Sequence, residues 1–397
     1  MTRAARATLR RVTRTATVGE VQAVLETAYD PHRAEEWDAV GLVTGDPADD
    51  VRKILLAVDP TLNVIDEAIE THADLLVTHH PLLLRPVNSV AATTPKGRAV
   101  HKLISNKVAL ITAHTNADAP PGGVSDAMAQ ALGIDDAEPI AAQPQDPQDK
   151  LVTFVPQADT AKVIDALAAA GAGDIGAYER CAYTSPGIGT FRPTPDANPT
   201  IGQVGAIEEV AELRVEMVVP RTQRDAVITA LRAAHPYEEA AFDVYELAAQ
   251  TGTTGSGRIG RLAEPTTLHD FAAAVVAALP NTASVARVAG DPEQPIRTVA
   301  LCGGSGDFLL DRVRASGADV YVTSDLRHHP ASELREHGAP ALIDVPHWAA
   351  EWTWLPMAER MLTAALAAQG ITVETRVSTI VTDPWTGHIP MSRGAPH

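Results

Sequence analysis

The chain has 397 residues, 45% hydrophobic but only 4% aromatic, so Ala, Val and Leu must fill its cores, and the length suggests two or three domains. Its 32 basic against 50 acidic residues give a net charge of −18, which argues against a nucleic-acid surface that works by phosphate neutralisation. Two cysteines, Cys181 and Cys302, are too few and too far apart for a disulfide framework or a thiolate zinc site, and no apolar run approaches the roughly 18 residues of a membrane span.

Residues 1–17 carry Arg3, Arg6, Arg10, Arg11 and Arg14 without an acid. They read as a disordered basic leader rather than a transit peptide, and the expected compartment is the cytoplasm. Helical spacing of Val21, Val24 and Leu25 predicts a helix over Val18–Tyr29. Buried strands are then expected at Lys53–Asp59, Asp74–Thr78, Val108–Ala113, Thr298–Cys302, Ala318–Thr323 and Ala341–Val345, with helices such as Leu62–Thr71 and Phe308–Ser316 between them. This alternation implies α/β layers with mainly parallel pairing.

Two repeats sharpen the outline. Val51–Thr78 matches Ile296–Thr323 without gaps at a constant offset of 245 (51 to 296), and Ala109-Leu110-Ile111 echoes Ala341-Leu342-Ile343. Within the intervening stretch, Leu151–Ala170 resembles Val215–Ala234 at an offset of 64 (151 to 215). Each copy there reads as a strand, a Pro at the helix start and an Ala-rich helix, the layout of a split βαβ ferredoxin-like unit. Gln143–Gln148 and Gln250–Gly257 look like its hinges. The expected organisation is a leader (1–17), an α/β lobe (18–148), an inserted α+β domain (149–252) and a second, duplicated α/β lobe (253–397).

The residues that carry chemistry lie at strand ends. His79-His80 follows Leu75-Leu76-Val77-Thr78, at the carboxyl end of a core strand, where ligands bind in open α/β sheets. Neighbouring side chains there diverge, so the pair suits two metal ions. His114 follows Val108–Ala113, with Asp118 four residues on, before a flexible Pro120-Pro121-Gly122-Gly123 turn. His347 follows Ala341–Val345, with Glu351 four on. If the chain after Pro346 is helical, these two share a face and can hold one ion. One such pair is ordinarily a solvated helix pair, but the same chemistry ending the same kind of strand twice points to a metal centre. Imidazoles with carboxylates favour Zn, Fe, Mn, Co or Ni over Mg or Ca, and two such ions would activate water and polarise a substrate oxygen. Asp325, His328 and His329 end the strand equivalent to that of His79-His80; they are candidate orienters or acid/base groups, with Asp325 as a helix cap the alternative. Cys302-Gly303-Gly304-Ser305-Gly306-Asp307 is either a phosphate cradle or, more simply, a tightly packed turn. His235-Pro236-Tyr237-Glu238-Glu239 either holds a ligand or shapes a subunit contact.

Several blocks, in order, resemble the GTP cyclohydrolase I type 2 / NIF-three-like family: Trp37-Asp38-Ala39-Val40-Gly41-Leu42, Thr78-His79-His80-Pro81-Leu82, His114 through Gly123, Cys302 through Gly306 and Thr323-Ser324-Asp325. The likeness spans roughly residues 18–380 and takes in the insert, whose Gly187–Phe191 and His235–Glu239 blocks resemble the PII-like or CutA-like domain of long bacterial members. The resemblance implies two divalent ions on His79, His80, Asp118, His347 and Glu351, with His114 in or beside the ligand set. It also implies a toroidal homohexamer with sites facing an internal cavity, and opening of the guanine imidazole ring of GTP. Ala39 stands where Asn is usual and Ser324 where Gly is common, both beside the expected site. Other functions consistent with the residues are a phosphoester hydrolase and a non-enzymatic metal-binding or regulatory assembly.

Overall fold

The computed structural model describes residues 14–338 and 340–389, which fall into two compact units: the chain up to Ala142 together with the chain from Thr253 onward, and Gln143–Gly252 between them.

The first unit holds two mixed sheets. In one, the order is Glu374–Val377, Lys53–Ala57, Leu75–Thr78, Ala109–Thr112, Gly41–Thr44. The first four run parallel and Gly41–Thr44 closes the edge antiparallel. In the other, Arg287–Ala289, Ala341–Asp344, Val320–Ser324, Pro295–Ser305, Arg258–Thr267 and Asp135–Glu138 lie in that order, with a parallel centre of three strands and antiparallel flanks. The central strands are apolar on both faces, as expected where parallel strands are covered on each side.

The two parallel centres begin alike. Asp74 Oδ2 accepts from the amides of Arg52 (2.7 Å) and Lys53 (3.0 Å). Asp319 Oδ2 accepts from those of Arg297 (2.9 Å) and Thr298 (2.7 Å). Each carboxylate ties the start of one strand to the turn before the next, satisfying donors that the ladder leaves over.

Helices Val18–Ala28, Val124–Ala131 and Trp354–Ala368 share one continuous apolar core with inward residues of both sheets. Its largest fully buried side chain is Trp354, whose indole N–H donates to the Tyr29 hydroxyl (3.1 Å) and whose ring lies edge-on to Tyr29. The leader expected over residues 1–17 ends earlier: Ala16 is buried, Ala16–Thr17 pairs with Asp50–Val51, and Thr17 caps the first helix in a reciprocal capping box with Glu20. Capping fixes these residues because the helix's first amides need acceptors; residues 1–13 lie outside the described residues.

The second unit runs strand–helix–strand–strand–helix–strand. Its antiparallel sheet has the order Tyr183–Phe191, Glu208–Pro220, Gln148–Pro156, Phe242–Glu246, and helices Thr160–Ala169 and Arg224–Ala234 cover the face that carries Leu151, Val155, Val215, Met217 and Val219. Ala141–Pro144 and Thr251–Ser256, which overlap the expected hinges, pair as a two-stranded ribbon.

Candidate metal centre

Every imidazole of the centre comes from the carboxyl end of a parallel strand. His79 and His80 follow Leu75–Thr78, His114 follows Ala109–Thr112, and His347 opens the helix His347–Trp352 after Ala341–Asp344. That helix places Glu351 one turn from His347, with Nε2 and Oε1 2.7 Å apart. Glu351, almost fully buried, reaches the first sheet as well: its Oε1 lies 3.4 Å from His79 Nε2 and its Oε2 3.0 Å from His80 Nε2. Asp118 ends the short helix Thr115–Asp118 and brings Oδ1 to 3.6 Å from His79 Nε2. The rings of His79, His80 and His114 stand 5.1–5.4 Å apart, and His347 is 5.4 Å from His80.

The four rings share one orientation rule. His79 Nδ1 donates to the Ala113 carbonyl (2.9 Å), His80 Nδ1 to Asp59 (2.7 Å), His114 Nδ1 to Asp38 (2.8 Å) and His347 Nδ1 to Asp325 (2.6 Å). An acceptor on Nδ1 fixes the proton there and leaves the Nε2 lone pair free, the arrangement that orients metal-binding histidines. His79 Nε2, Asp118 Oδ1 and Glu351 Oε2 are buried yet make no hydrogen bond of acceptable geometry. Buried lone pairs converging without donors are costly unless a cation satisfies them. Two sets of possible ligand atoms lie mutually within 4.8 Å: His79, His80 and His114, and His80, His347 and Glu351. The donor set therefore fits a divalent metal of the borderline class.

Protons stand in for cations where no ion is bound. Burial works against a charged His80, but the Glu351 charge and the hydrogen-bonded Asp59 carboxylate overcome it and raise its pKa to about 11. His347 is raised to about 10 by Glu351 and Asp325 against the same burial. Glu351, despite burial, is held well below the usual carboxylate range by His80, His347 and His79. Asp118 is pushed up to about 7 by burial and by the Glu351 charge.

The surroundings make room for this crowd. A Cβ on Gly304 would sit 2.6 Å from Glu351 Oε1 and 3.4 Å from His347 Nε2, and Gly304 has φ +78°. At Gly306 a Cβ would meet the Tyr321 hydroxyl at 2.2 Å. The Gly303–Gly306 turn is thus packed against side chains, the simpler of its two readings. The turn after Asp118 is held rather than flexible: the buried Arg258 donates to the carbonyls of Ala119 and Pro120 and pairs with Asp126. The His79 ring rests against Trp354 (5.4 Å). A cavity of about 680 Å³ opens beside the cluster, lined by His80, His347, Asp59, Asp325, Arg287 and Trp385 among others.

All six residues expected to bind metal meet here. Asp325 is at the site, in the left-handed region (φ +58°), bonded to His347 and deprotonated because that hydrogen bond lowers its pKa. His329 is not brought to it: it is exposed on the helix His328–Glu336, its ring 5.2 Å from that of His328. Sequence reasoning missed Asp59 and the role of Asp38. Asp59 lies two residues past the strand Lys53–Ala57, at the same carboxyl edge as the other groups, which is the signal that marks it. Asp38 sits in a loop; its side chain is fully buried, taking His114, Thr115 and the Ala39 amide as donors, and despite burial these hold its pKa far below normal.

Residues 16–384 match the Duf34/NIF3 (NGG1p interacting factor 3) family. A Mycobacterium tuberculosis protein named GTP cyclohydrolase 1 type 2 homolog is 48% identical over 373 residues, covering 93% of this chain and 96% of that protein. The Bacillus subtilis protein of the same name is 37% identical over 353 residues, with coverages of 89% and 94%. The crystal structure of a Bacillus cereus protein related to NIF3 superposes with a TM-score of 0.78 at 36% identity, covering 94% of this chain and 99% of that one. Among the described residues no helix is long and apolar enough to cross a membrane.

Proposed function

We propose that this chain, which belongs to the Duf34/NIF3 family, is a divalent-metal-dependent hydrolase with two ions per subunit, and that hydrolytic opening of the guanine imidazole ring of GTP is its reaction. The observation that carries this reading is the common orientation of four imidazoles, each with Nδ1 held by an acceptor so that Nε2 is the atom left to meet an ion, around Glu351 and Asp118. His79, His80, His114, Asp118, His347 and Glu351 would hold the metal. When bound, such ions act as Lewis acids and lower the pKa of water. Asp59, Asp38 and Asp325 keep three of the rings in the correct tautomer. Asp325 also borders the adjoining cavity, where its carboxylate can accept a proton from a reacting water. Ring opening of GTP adds one water at C8, breaking one C–N bond to leave a formamide, and a second water hydrolyses that amide to release the carbon as formate.

The same reading takes the two sheets as duplicated lobes, residues 149–252 as a PII-like insertion, and the functional particle as a cytoplasmic homohexamer. Sedimentation of the intact protein as a monomer or dimer would contradict the hexamer.

The reaction is tested by incubating metal-loaded full-length protein with GTP, ATP and p-nitrophenyl phosphate. Formate release from GTP, abolished by chelator and lowered by about two orders of magnitude or more in His80→Ala, is the expected result. Phosphate without formate would move the protein to the phosphoester hydrolases. No turnover by a metal-loaded, intact assembly would leave a binding or regulatory role.

A further inference from the structure

The inserted unit carries a second cavity, of about 640 Å³, lined wholly by its own residues. It lies on the sheet face opposite the two helices. Along Glu208–Pro220 the odd positions Val215, Met217 and Val219 enter the helix-covered core, so Glu212 and Arg214 point the other way. Opposite Glu212 on the edge strand stands Gly187, and a Cβ on Gly189 would fall 2.1 Å from Glu212 Oε2. Gly189 thus leaves out a side chain that would cover this carboxylate. Segment 192–206 closes over the space, tied down where the Asn198 amide donates to Glu238 and the Thr200 hydroxyl to the Pro236 carbonyl, each at 2.9 Å.

Glu212 is the anomaly. It is 8% exposed, and its Oε1 accepts one hydrogen bond, from the Tyr237 hydroxyl at 2.7 Å. Arg214, the nearest cation along the strand, is engaged with Glu216 at 2.8 Å, and among the described residues no cationic side chain pairs with Glu212. A buried carboxylate without a cation is costly to maintain. Around it stand Phe154, Phe191 and Tyr237, whose ring faces attract positive charge; the Arg214 guanidinium already lies 6.0 Å over the Phe154 ring, which leaves Phe191 and Tyr237. Burial and the Glu212 charge push the Tyr237 hydroxyl up, so it remains a donor and does not supply the missing cation.

We propose that this cavity binds a small organic cation, an amine or amidine on an apolar or aromatic body, with its charge on Glu212 and its body among Phe154, Phe191 and Tyr237. The volume suits a ligand of that size; of the charged residues that line it, Arg192, Glu212, Arg214, Glu238 and Glu239, only Glu212 is buried, and an apolar wall with a buried charged group aimed into it is how such sites obtain both affinity and orientation. This inference is independent of the metal centre and of any reaction there.

The test uses metal-loaded full-length protein and three nearly isosteric probes, benzamidine, benzamide and benzoate, titrated calorimetrically. Benzamidine should bind saturably and about tenfold or more tightly than the neutral and anionic probes. Glu212→Gln should remove about tenfold of that affinity while benzamide binding changes little. If Glu212→Gln does not fold, Phe191→Ala serves, with an expected loss of about threefold or more. Equal binding of benzamide, full retention by the Glu212 or Phe191 variant, or no saturable benzamidine binding would each overturn the proposal.

Discussion

The two sheets of the first unit share a framework and differ where it ends. Asp74 and Asp319 make the same pair of backbone hydrogen bonds, and the strands that follow, Leu75–Thr78 and Val320–Ser324, occupy the same central place. Beyond them the chemistry parts. At the shared offset of 245, His79 corresponds to Ser324 and His80 to Asp325. One strand delivers two imidazoles. The other delivers a buried hydroxyl without a partner and a carboxylate that orients His347. Asp59, which orients His80, corresponds to Gly304, whose missing side chain leaves space for Glu351. At these matching strand ends one sheet therefore supplies candidate ligands where the other supplies an orienting group, because backbone geometry is set by the strand pattern while each end residue is free to vary.

The sharpest way to break this comparison is to remove Glu351, the one carboxylate that reaches imidazoles from both sheets. Glu351→Ala should lower metal affinity by more than the roughly 10–100-fold typical of losing an orienting partner, measured by competition with a chromophoric chelator. Asp59→Asn and Asp325→Asn come next. They orient histidines on different sheets, so each should cost about 10–100-fold in affinity with little change in melting temperature. If only one does, the two ends are not equivalent supports.

Proton linkage follows. His80 and His347 have pKa values raised to about 11 and about 10, so both are protonated at neutral pH until an ion displaces those protons. Metal affinity should then rise with pH and fall in acid, by about tenfold per unit for each proton displaced. Calorimetry in buffers of different ionisation enthalpy measures the release, and proton uptake would contradict the assignment. The smallest effect concerns the scaffold: Asp74→Ala and Asp319→Ala should each destabilise by about 1–3 kcal/mol, in equal measure and with metal affinity retained, as read by denaturant titration of the metal-free protein. A large inequality would show that the shared framework is not shared energetically.

Much of this was legible in the sequence because buried parallel strands are continuous apolar runs. Lys53–Ala57, Leu75–Thr78, Ala109–Thr112 and Ala341–Asp344 fall within the expected segments, Val320–Ser324 runs one residue past its own, and the end of such a strand is where a charged residue stands out. The edge strands Gly41–Thr44, Arg287–Ala289 and Glu374–Val377 were not legible. They are three or four residues long and partly exposed, and their place depends on contacts distant in sequence. The orienting groups were harder than the candidate ligands for the same reason. Asp325 stands in a repeat, whereas Asp38 sits in a loop and meets His114 only through the fold. Nor does any local pattern announce Glu212, whose oddity is a missing cation rather than a motif.

The most direct test of the shared centre is anomalous diffraction at the metal edge from crystals of the full-length protein grown with manganese or zinc. The account predicts two peaks, one within coordination distance of the Nε2 atoms of His79 and His114 and one within that distance of His347 Nε2 and Glu351, with His80 between them. An absence of peaks, or metal bound only by residues of a single sheet, would contradict it.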